Sequence, residues 1–318
     1  MAIVGAGPAG LFAAYYAGFR GLSSAVIDAL PEAGGQITAM YPEKQIYDVA
    51  GFPAIRGRDL VANLLAQAAP FEPTYLLGVN AESLSYQGGL PVLGLAGQEP
   101  VRCGAVLITG GIGSFTPRPL PAAQQFTGEG VVYFVRRLDD LARQDILIVG
   151  GGDSAFDWAL ALAPTAKSVT LVHRRDRFRA HAATIERVRG LPVRIMVNAE
   201  VTRLLGVGRV TGAEITPRAG GPAETVPAET VIAALGFTAD LGPLAGWGLA
   251  LAKRHVVVDS TMATNLPRVF AAGDITEYPG KVRLIATGFG EAATAVNNAA
   301  VVIDPTAHVF PGHSSDAG

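Results

Sequence analysis

The chain has 318 residues, 49% apolar and 16% charged, with a formal net charge of −2 and a pI near 6.2. That balance excludes a disordered chain and gives no global attraction for nucleic acid. A single cysteine, Cys103, excludes an intrachain disulfide framework and any intrachain dithiol pair, and no apolar run reaches the roughly 18 residues a membrane span needs.

The length predicts two domains, and 39 glycines predict a backbone that turns sharply or approaches ligands closely. The chain opens on a strand with no basic leader, so the expectation is a cytoplasmic protein. Met1 to Val4 breaks into Gly5-Ala6-Gly7-Pro8-Ala9-Gly10, and Leu11 to Ala17 is apolar and helix-compatible. In a strand–glycine turn–helix of this spacing the first glycine permits the bend and the second admits a pyrophosphate. The third lets helix and strand pack closely. An acid should close the next strand to hold a ribose hydroxyl, and Asp28 does so, 18 positions after Gly10.

A turn-rich loop, Pro31 to Gln36, leads into a second loop carrying Tyr41, Tyr47 and Phe52. Gly57 to Phe71 reads as an amphipathic helix, with Leu60, Leu64, Leu65 and Ala68 at helical spacing. Alternating segments around Tyr75–Leu77, Leu84–Tyr86 and Pro91–Leu95 predict a small antiparallel sheet. Val101 to Thr109 predicts a buried strand that ends in a glycine-rich loop. Three prolines between Phe115 and Pro121 mark a linker.

Beyond it the opening pattern returns. Ile146 to Val149 predicts a strand, Gly150-Gly151-Gly152-Asp153-Ser154-Ala155 a second glycine turn, Phe156 to Leu162 a helix, and Val169 to Val172 a strand ending in His173-Arg174-Arg175. Asp28 and His173 each lie 23 positions past the first glycine of their turn, so two Rossmann-type units differ at the residue that reads the ribose. An aspartate repels a 2′-phosphate, whereas guanidinium groups grip one with charge-assisted bonds. Two arginines at about 1.5–3 kcal/mol each favour NADP(H) over NAD(H) by roughly 10²–10⁴. Arg177 and Arg179 extend the cluster.

Strand-like segments continue to Val231–Leu235, a return crossing to the first domain is predicted near Ala239 to Gly242, and Val269 to Asp274 predicts a buried strand ending in a polar loop. Ile285 to Val302 reads as one long helix with Thr287, Gly288 and Gly290 at its start, and Pro305 to Gly318 as a loose tail.

In this order the motifs resemble the two-dinucleotide-domain flavoprotein reductases of low-molecular-weight, thioredoxin-reductase-like form. Thioredoxin reductases of that form carry a CxxC before the second glycine turn, where this chain has Tyr133-Phe134-Val135-Arg136. The chain is similar instead to the branch that lacks the dithiol, the thioredoxin-reductase-type ferredoxin (flavodoxin)–NADP reductases. YPEKQIYDVAGFP from Tyr41 to Pro53, GGGDSA from Gly150 to Ala155, ATGFGEAA from Ala286 to Ala293, AVNN from Ala295 to Asn298 and the tail His313-Ser314-Ser315 carry the likeness. Two features depart from the pattern: the chain begins abruptly at its first strand, and Arg136-Arg137 sit where an acidic or neutral pair would be unsurprising.

The resemblance implies an α/β fold of two Rossmann-like domains, the second inserted into the first. FAD would take residues 1–115 and 241–318, and NADP(H) residues 116–240. It implies FAD on Gly5, Gly7, Gly10, Asp28, Gln36, Ala81, Phe115 and Asp274, with Tyr41 stacked on the isoalloxazine and Ser315 reaching FAD from the tail. NADP(H) would lie on Gly152, Asp153, Ser154, Arg174, Arg175 and Arg179, and His313 would cover the other flavin face from a partner subunit of a homodimer.

The implied reaction is hydride transfer between NADPH and flavin N5 followed by single-electron exchange with ferredoxin or flavodoxin, without a metal site. Tyr41 and His313 would be the residues at the reacting ring. An NADPH oxidase or diaphorase of the same fold and a non-catalytic NADP(H)-sensing flavoprotein are the alternatives; a thioredoxin reductase fits poorly with one cysteine.

Overall fold

A computed structural model of the chain describes residues 1–124, 126, 129–310 and 312. It divides into two compact units, one formed by Met1–Ala39, Gln45–Phe115 and Ala239–Gly318, the other by Met40–Lys44 and Thr116–Thr238. The chain leaves the first unit and returns to it once along its main course. The segment Met40–Lys44 is a further, short excursion that the sequence does not announce, and the chain returns to the first unit at Ala239.

The first unit is built on a five-stranded parallel sheet in the order Val269–Ala271, Val106–Ile108, Ala2–Val4, Ala25–Asp28, Thr74–Leu77. Its central strands are apolar throughout because both faces are covered: Ile3, Val106, Leu107 and Ile108 are fully buried. Helix α1, Pro8–Phe19, follows the first strand, with Pro8 at its first position where a missing N–H costs nothing. Leu11, Ala13, Ala14 and Ala17 form its buried face. A short α2, Gln36–Met40, follows the turn-rich loop. Helix α3, Gly57–Ala68, buries Leu60, Val61, Leu64 and Ala68 and gives way to a tighter turn at Ala69–Phe71, where Pro70 cannot donate the next backbone bond.

The second unit repeats this plan. Its parallel sheet runs Val131–Val132, Thr230–Ala233, Asp145–Val149, Ser168–His173, Val193–Val197. Helix α4, Asp153–Leu162, follows the second glycine turn and buries Phe156, Trp158 and Leu162. Helix α5, Ala182–Arg189, follows the arginine-rich loop and ends at Gly190 with Arg187 and Arg189 in its last turn, where cations offset the partial negative charge of the carbonyls.

In both units an antiparallel three-stranded meander precedes the strand that pairs with the one leading into the glycine turn. The first consists of Ala81–Gln87, Leu90–Leu95 and Gln98–Arg102, the second of Ala199–Leu205, Gly212–Pro217 and Glu224–Pro227. Two expectations are corrected here. Tyr75–Leu77 belongs to the parallel sheet, paired in register with Val26–Asp28, and the meander's third strand is Gln98–Arg102. The buried strand expected over Val101–Thr109 is two elements: Val101 and Arg102 close the meander, and only Val106–Ile108 enters the parallel sheet. Polar Gln98 and Glu99 suit a solvent-facing meander strand, and a break at Cys103–Gly104 separates it from the apolar triplet.

The final helix α6, Ile285–Ile303, is one residue longer than the pattern predicts and buries Gly288, Glu291, Ala292, Ala295, Val296, Ala299 and Ala300. Among the described residues no helix is long and apolar enough to cross a membrane.

Candidate functional site

The first glycine turn divides the three glycine roles cleanly. Gly5 has φ +117°, and a Cβ there would lie 2.5 Å from the Thr109 carbonyl oxygen, so a side chain is excluded by conformation and by space. A Cβ on Gly10 would overlap the Gly5 carbonyl and stand 2.7 Å from Thr109 Oγ1, which donates to that same carbonyl at 2.8 Å. A Cβ on Gly7 would meet nothing within 4 Å. Gly7 is the N-cap of α1 with no capping side-chain hydrogen bond, so the helix starts uncapped at the one glycine of this turn whose Cβ would meet no atom. That is the cradle a pyrophosphate fills.

Asp28 closes the second strand beside this turn. Its Oδ2 accepts the Ala6 N–H at 2.6 Å and its Oδ1 the Leu30 N–H at 2.8 Å, fixing the carboxylate at the sheet edge. Burial pushes its pKa above the usual carboxylate value, against the pull of these two donors. The loop after it folds back: Gly34 N–H donates to the Ala6 carbonyl at 2.8 Å, and Gly35 stands so close that a Cβ there would lie 2.9 Å from Gly7 Cα. The backbone next returns at Gly78 and Val79, which donate to the carbonyls of Leu30 and Asp28, and Ala81 follows two residues on. Gln36, at the head of α2, reaches Gly111 in the loop after Val106–Ile108; a Cβ on Gly111 would lie 2.9 Å from its Nε2. Phe115 is half-buried at the end of that loop. Gly5, Gly7, Gly10, Asp28, Gln36, Ala81, Phe115 and Asp274 all lie in the first unit.

Asp274 follows the strand Val269–Ala271 through Gly273, which has φ +83°. Gly273 sits against two helix starts: a Cβ there would lie 3.2 Å from Ala9 Cβ in α1, and one on Gly288 in α6 would lie 3.4 Å from Gly273 Cα. Burial raises the Asp274 pKa, with Lys281 and Arg283 pulling it down. Helix α6 opens on Leu284 without a capping side chain. Beneath the loop Glu291 is 5% exposed and accepts Gly273 N–H at 2.7 Å, Tyr278 OH at 2.6 Å, and the Lys281 ammonium, itself 1% exposed. The pattern did not single out this pair. The one signal for it is that Glu291 is the only charged residue in α6, and a lone acid on an apolar helix needs a partner if it is buried.

In the second unit Gly150 N–H donates to the Val172 carbonyl at 3.0 Å as Gly5 N–H donates to Ile27 at 2.8 Å, so His173 occupies the position of Asp28 in three dimensions. Its ring lies over the turn: a Cβ on Gly151 would stand 2.5 Å from His173 Nδ1. Burial lowers the His173 pKa, assisted by Arg174, Arg175 and Arg179. Gly152 is the counterpart of Gly7, an N-cap with no capping side-chain bond and nothing within 4 Å of a Cβ.

The arginine loop is tied to the turn by its backbone: Arg179 N–H donates to Gly151 O at 2.7 Å, and His181 N–H to Asp153 Oδ1 at 2.9 Å. Arg174, Arg175 and Arg179 remain exposed, so their guanidinium groups are presented to solvent beside the helix start. Arg218, which the motif reading did not reach, donates to the Arg174 carbonyl at 3.4 Å and faces Glu200 at 3.4 Å.

Tyr41 is the described member of the expected flavin set that falls in the other unit. It packs on the apolar cluster containing Phe156 and Trp158, and Lys44 three residues on pairs with Asp157 of α4 at 2.6 Å. His313 and Ser315 lie outside the described residues. Cys103 is half-buried against the first core, and burial raises its thiol pKa.

A family model described as pyridine nucleotide-disulphide oxidoreductase matches residues 1–299. A protein of Salinispora arenicola named ferredoxin–NADP reductase is 78% identical over 316 residues, covering 99% of this chain and 98% of its own length. One of the same name from Thermus thermophilus is 47% identical over 320 residues, covering 99% and 96%. Among solved structures, a thioredoxin reductase of T. acidophilum superposes with a TM-score of 0.78 at 26% identity, covering 96% of this chain and 98% of that one. The chain belongs to the pyridine nucleotide-disulphide oxidoreductase family and has the two-Rossmann-domain fold of its thioredoxin-reductase-like members.

Proposed function

We propose that this member of the pyridine nucleotide-disulphide oxidoreductases is an FAD-dependent ferredoxin (or flavodoxin)–NADP reductase. One observation carries the reading: two glycine turns of matching geometry end in opposite chemistry, Asp28 in the first unit and His173-Arg174-Arg175 in the second. A carboxylate accepts from a free ribose hydroxyl and repels a phosphate, which suits FAD; exposed guanidinium groups suit the 2′-phosphate of NADP(H). The names of the full-length relatives point the same way, and a single half-buried cysteine leaves no intrachain dithiol to relay electrons.

When bound, FAD supplies the conversion between a two-electron hydride and the single electrons that an iron–sulfur protein exchanges. The chain's own residues bind and orient. Gly7 and the first N–H groups of α1 would take the pyrophosphate and Asp28 a ribose hydroxyl, and Gln36, Ala81, Phe115 and Asp274 would line the remainder. The uncapped start of α6, at Thr287 to Gly290, would offer its N–H groups to negative charge on the bound cofactor. Gly152, Asp153 and Ser154 open the second site to a pyrophosphate, and Arg174, Arg175 and Arg179 grip the 2′-phosphate. By the resemblance, Tyr41 would supply an aromatic face for the ring, and in a homodimer His313 and Ser315 would come from the partner's tail. A cytoplasmic location accords with such a chemistry.

The purified chain should show a flavin absorption spectrum, bleach on NADPH addition, and reduce cytochrome c much faster with ferredoxin present than without. Rapid oxygen consumption with no ferredoxin dependence would assign it as an NADPH oxidase, and a flavin that stays oxidised would make it a sensor.

A further inference from the structure

Gly273 is where three elements of the first unit converge: the strand Val269–Ala271, the start of α1 at Ala9 and the start of α6 at Gly288. Its left-handed backbone sets the direction in which Asp274 leaves the sheet. Both polar groups of Gly273 are held by one buried ion pair. Its N–H donates to Glu291 Oε2 at 2.7 Å, and its carbonyl accepts from Lys281 Nζ at 3.0 Å, with Thr276 Oγ1 on the same carbonyl at 2.8 Å. Lys281 and Glu291 then bond to each other, Tyr278 OH completes the carboxylate at 2.6 Å, and the ammonium lies 5.4 Å from the Tyr278 ring centroid. The carboxylate raises the Tyr278 pKa, which burial has already lifted, to about 12, so the phenol remains a donor.

An ion pair 1% and 5% exposed is a poor source of stability, because desolvation consumes most of its attraction. What it supplies is geometry: a charged acceptor and a charged donor hold the two successive peptide groups that flank the Gly273 Cα. We propose that Lys281 and Glu291 are positioning residues for the flavin, holding the Gly273–Asp274 turn and the first turn of α6 in the arrangement that binds the cofactor. The inference rests on the proposed reading of the first unit as the FAD site. Neither side chain touches the reacting atoms; both act through Gly273.

The test uses the full chain stripped of FAD and titrated with it, reading flavin affinity, absorption envelope and thermal midpoint. Glu291→Gln leaves the Lys281 ammonium buried without its counter-charge and takes a full acceptor from Gly273 and Tyr278. FAD affinity should fall about 10–100-fold, with a changed absorption envelope and an NADPH Michaelis constant within about twofold of the parent. Adding Lys281→Met removes the orphan charge and so restores the thermal midpoint, while FAD affinity stays low because the Gly273 carbonyl has lost its ammonium partner.

Affinity that recovers together with the midpoint would make the pair a packing element and overturn the proposal, as would unaltered affinity in Glu291→Gln. If Glu291→Gln does not accumulate, the double variant decides alone: weak FAD binding at a normal midpoint supports positioning, parental binding refutes it. A parent chain that binds no FAD would instead refute the assignment of the site.

Discussion

Gly7 and Gly10 lie three residues apart in one turn, yet the same added methyl should do different damage at each. At Gly10 alanine has a helix-propensity advantage of about 1 kcal/mol, but its Cβ overlaps the Gly5 carbonyl and lies 2.7 Å from Thr109 Oγ1. Backbone and sheet edge must separate, at about 1–3 kcal/mol or more for an overpacked site. The FAD-free protein should therefore lose stability in Gly10→Ala. At Gly7 the backbone is extended, with φ −71°, which alanine adopts freely, and no protein atom lies within 4 Å of the new Cβ. The FAD-free fold should lose under about 1 kcal/mol, the cost of a poorer N-cap. The methyl instead occupies the approach of the pyrophosphate, and an overlap of about 1–3 kcal/mol weakens binding roughly 5–150-fold. Thermal midpoints of the FAD-free variants and flavin-fluorescence titrations separate the two effects. Equal stability losses in both variants, or Gly7→Ala binding FAD like the parent, would refute the division of roles.

Arg174→Ala combined with Arg175→Ala should raise the Michaelis constant for NADPH by roughly 10²-fold or more while that for NADH moves little, because only the former carries the 2′-phosphate; equal shifts would sink the assignment. Burial raises the Asp28 pKa above the ordinary carboxylate value, so in FAD-free protein the stability its protonated form contributes is lost as pH rises through that raised value. A ribose hydroxyl needs the ionised acceptor, so FAD affinity should fall as pH drops through the same range, and Asp28→Asn should flatten that profile; an identical slope in the variant would refute the role. Cys103→Ala should leave ferredoxin-dependent cytochrome c reduction within about twofold of the parent, at a stability cost of about 1 kcal/mol, since its thiol is half-buried and disfavoured as a thiolate. Abolished turnover in a variant that still holds FAD would require a thiol relay.

The central strands of the two parallel sheets were legible because they are apolar on both faces and the first of each leads into a glycine turn at equal spacing. Ile3–Val4 with Ile27 and Ile146–Val149 with Val172 give the same register, and the acid and the histidine fall at the same place. Periodicity failed where burial is one-sided and short. Tyr75–Leu77 alternates weakly and looks like its meander neighbours, but its pairing is decided by Val26–Asp28 across the sheet, a contact between residues about fifty positions apart that no local pattern encodes. Helix α5 was not anticipated: with Arg187 and Arg189 on an eight-residue segment, little apolar stripe marks it, and it forms because His181 is anchored to Asp153 and Gly190 ends it.

The candidate site divides along the same physical line. Glycines that face a ligand and glycines that face the protein are identical in sequence, and only the fold distinguishes Gly7, with nothing near it, from Gly10, pressed on Gly5. Residues that would contact a cofactor directly are bound to a motif's spacing and so could be named; residues that hold those in place are free to come from anywhere the chain folds back. Lys281 and Glu291 lie 8 and 18 positions beyond Gly273 and meet it only because Thr276–Glu277 and a loop of glycine and proline turn the chain under the sheet edge before α6 begins. A buried lysine and glutamate of opposite charge would cancel in any reading of composition. Their proposed role becomes visible only when one is found on the N–H and the other on the carbonyl of a single residue, and it is the residue from which Asp274 leaves the sheet.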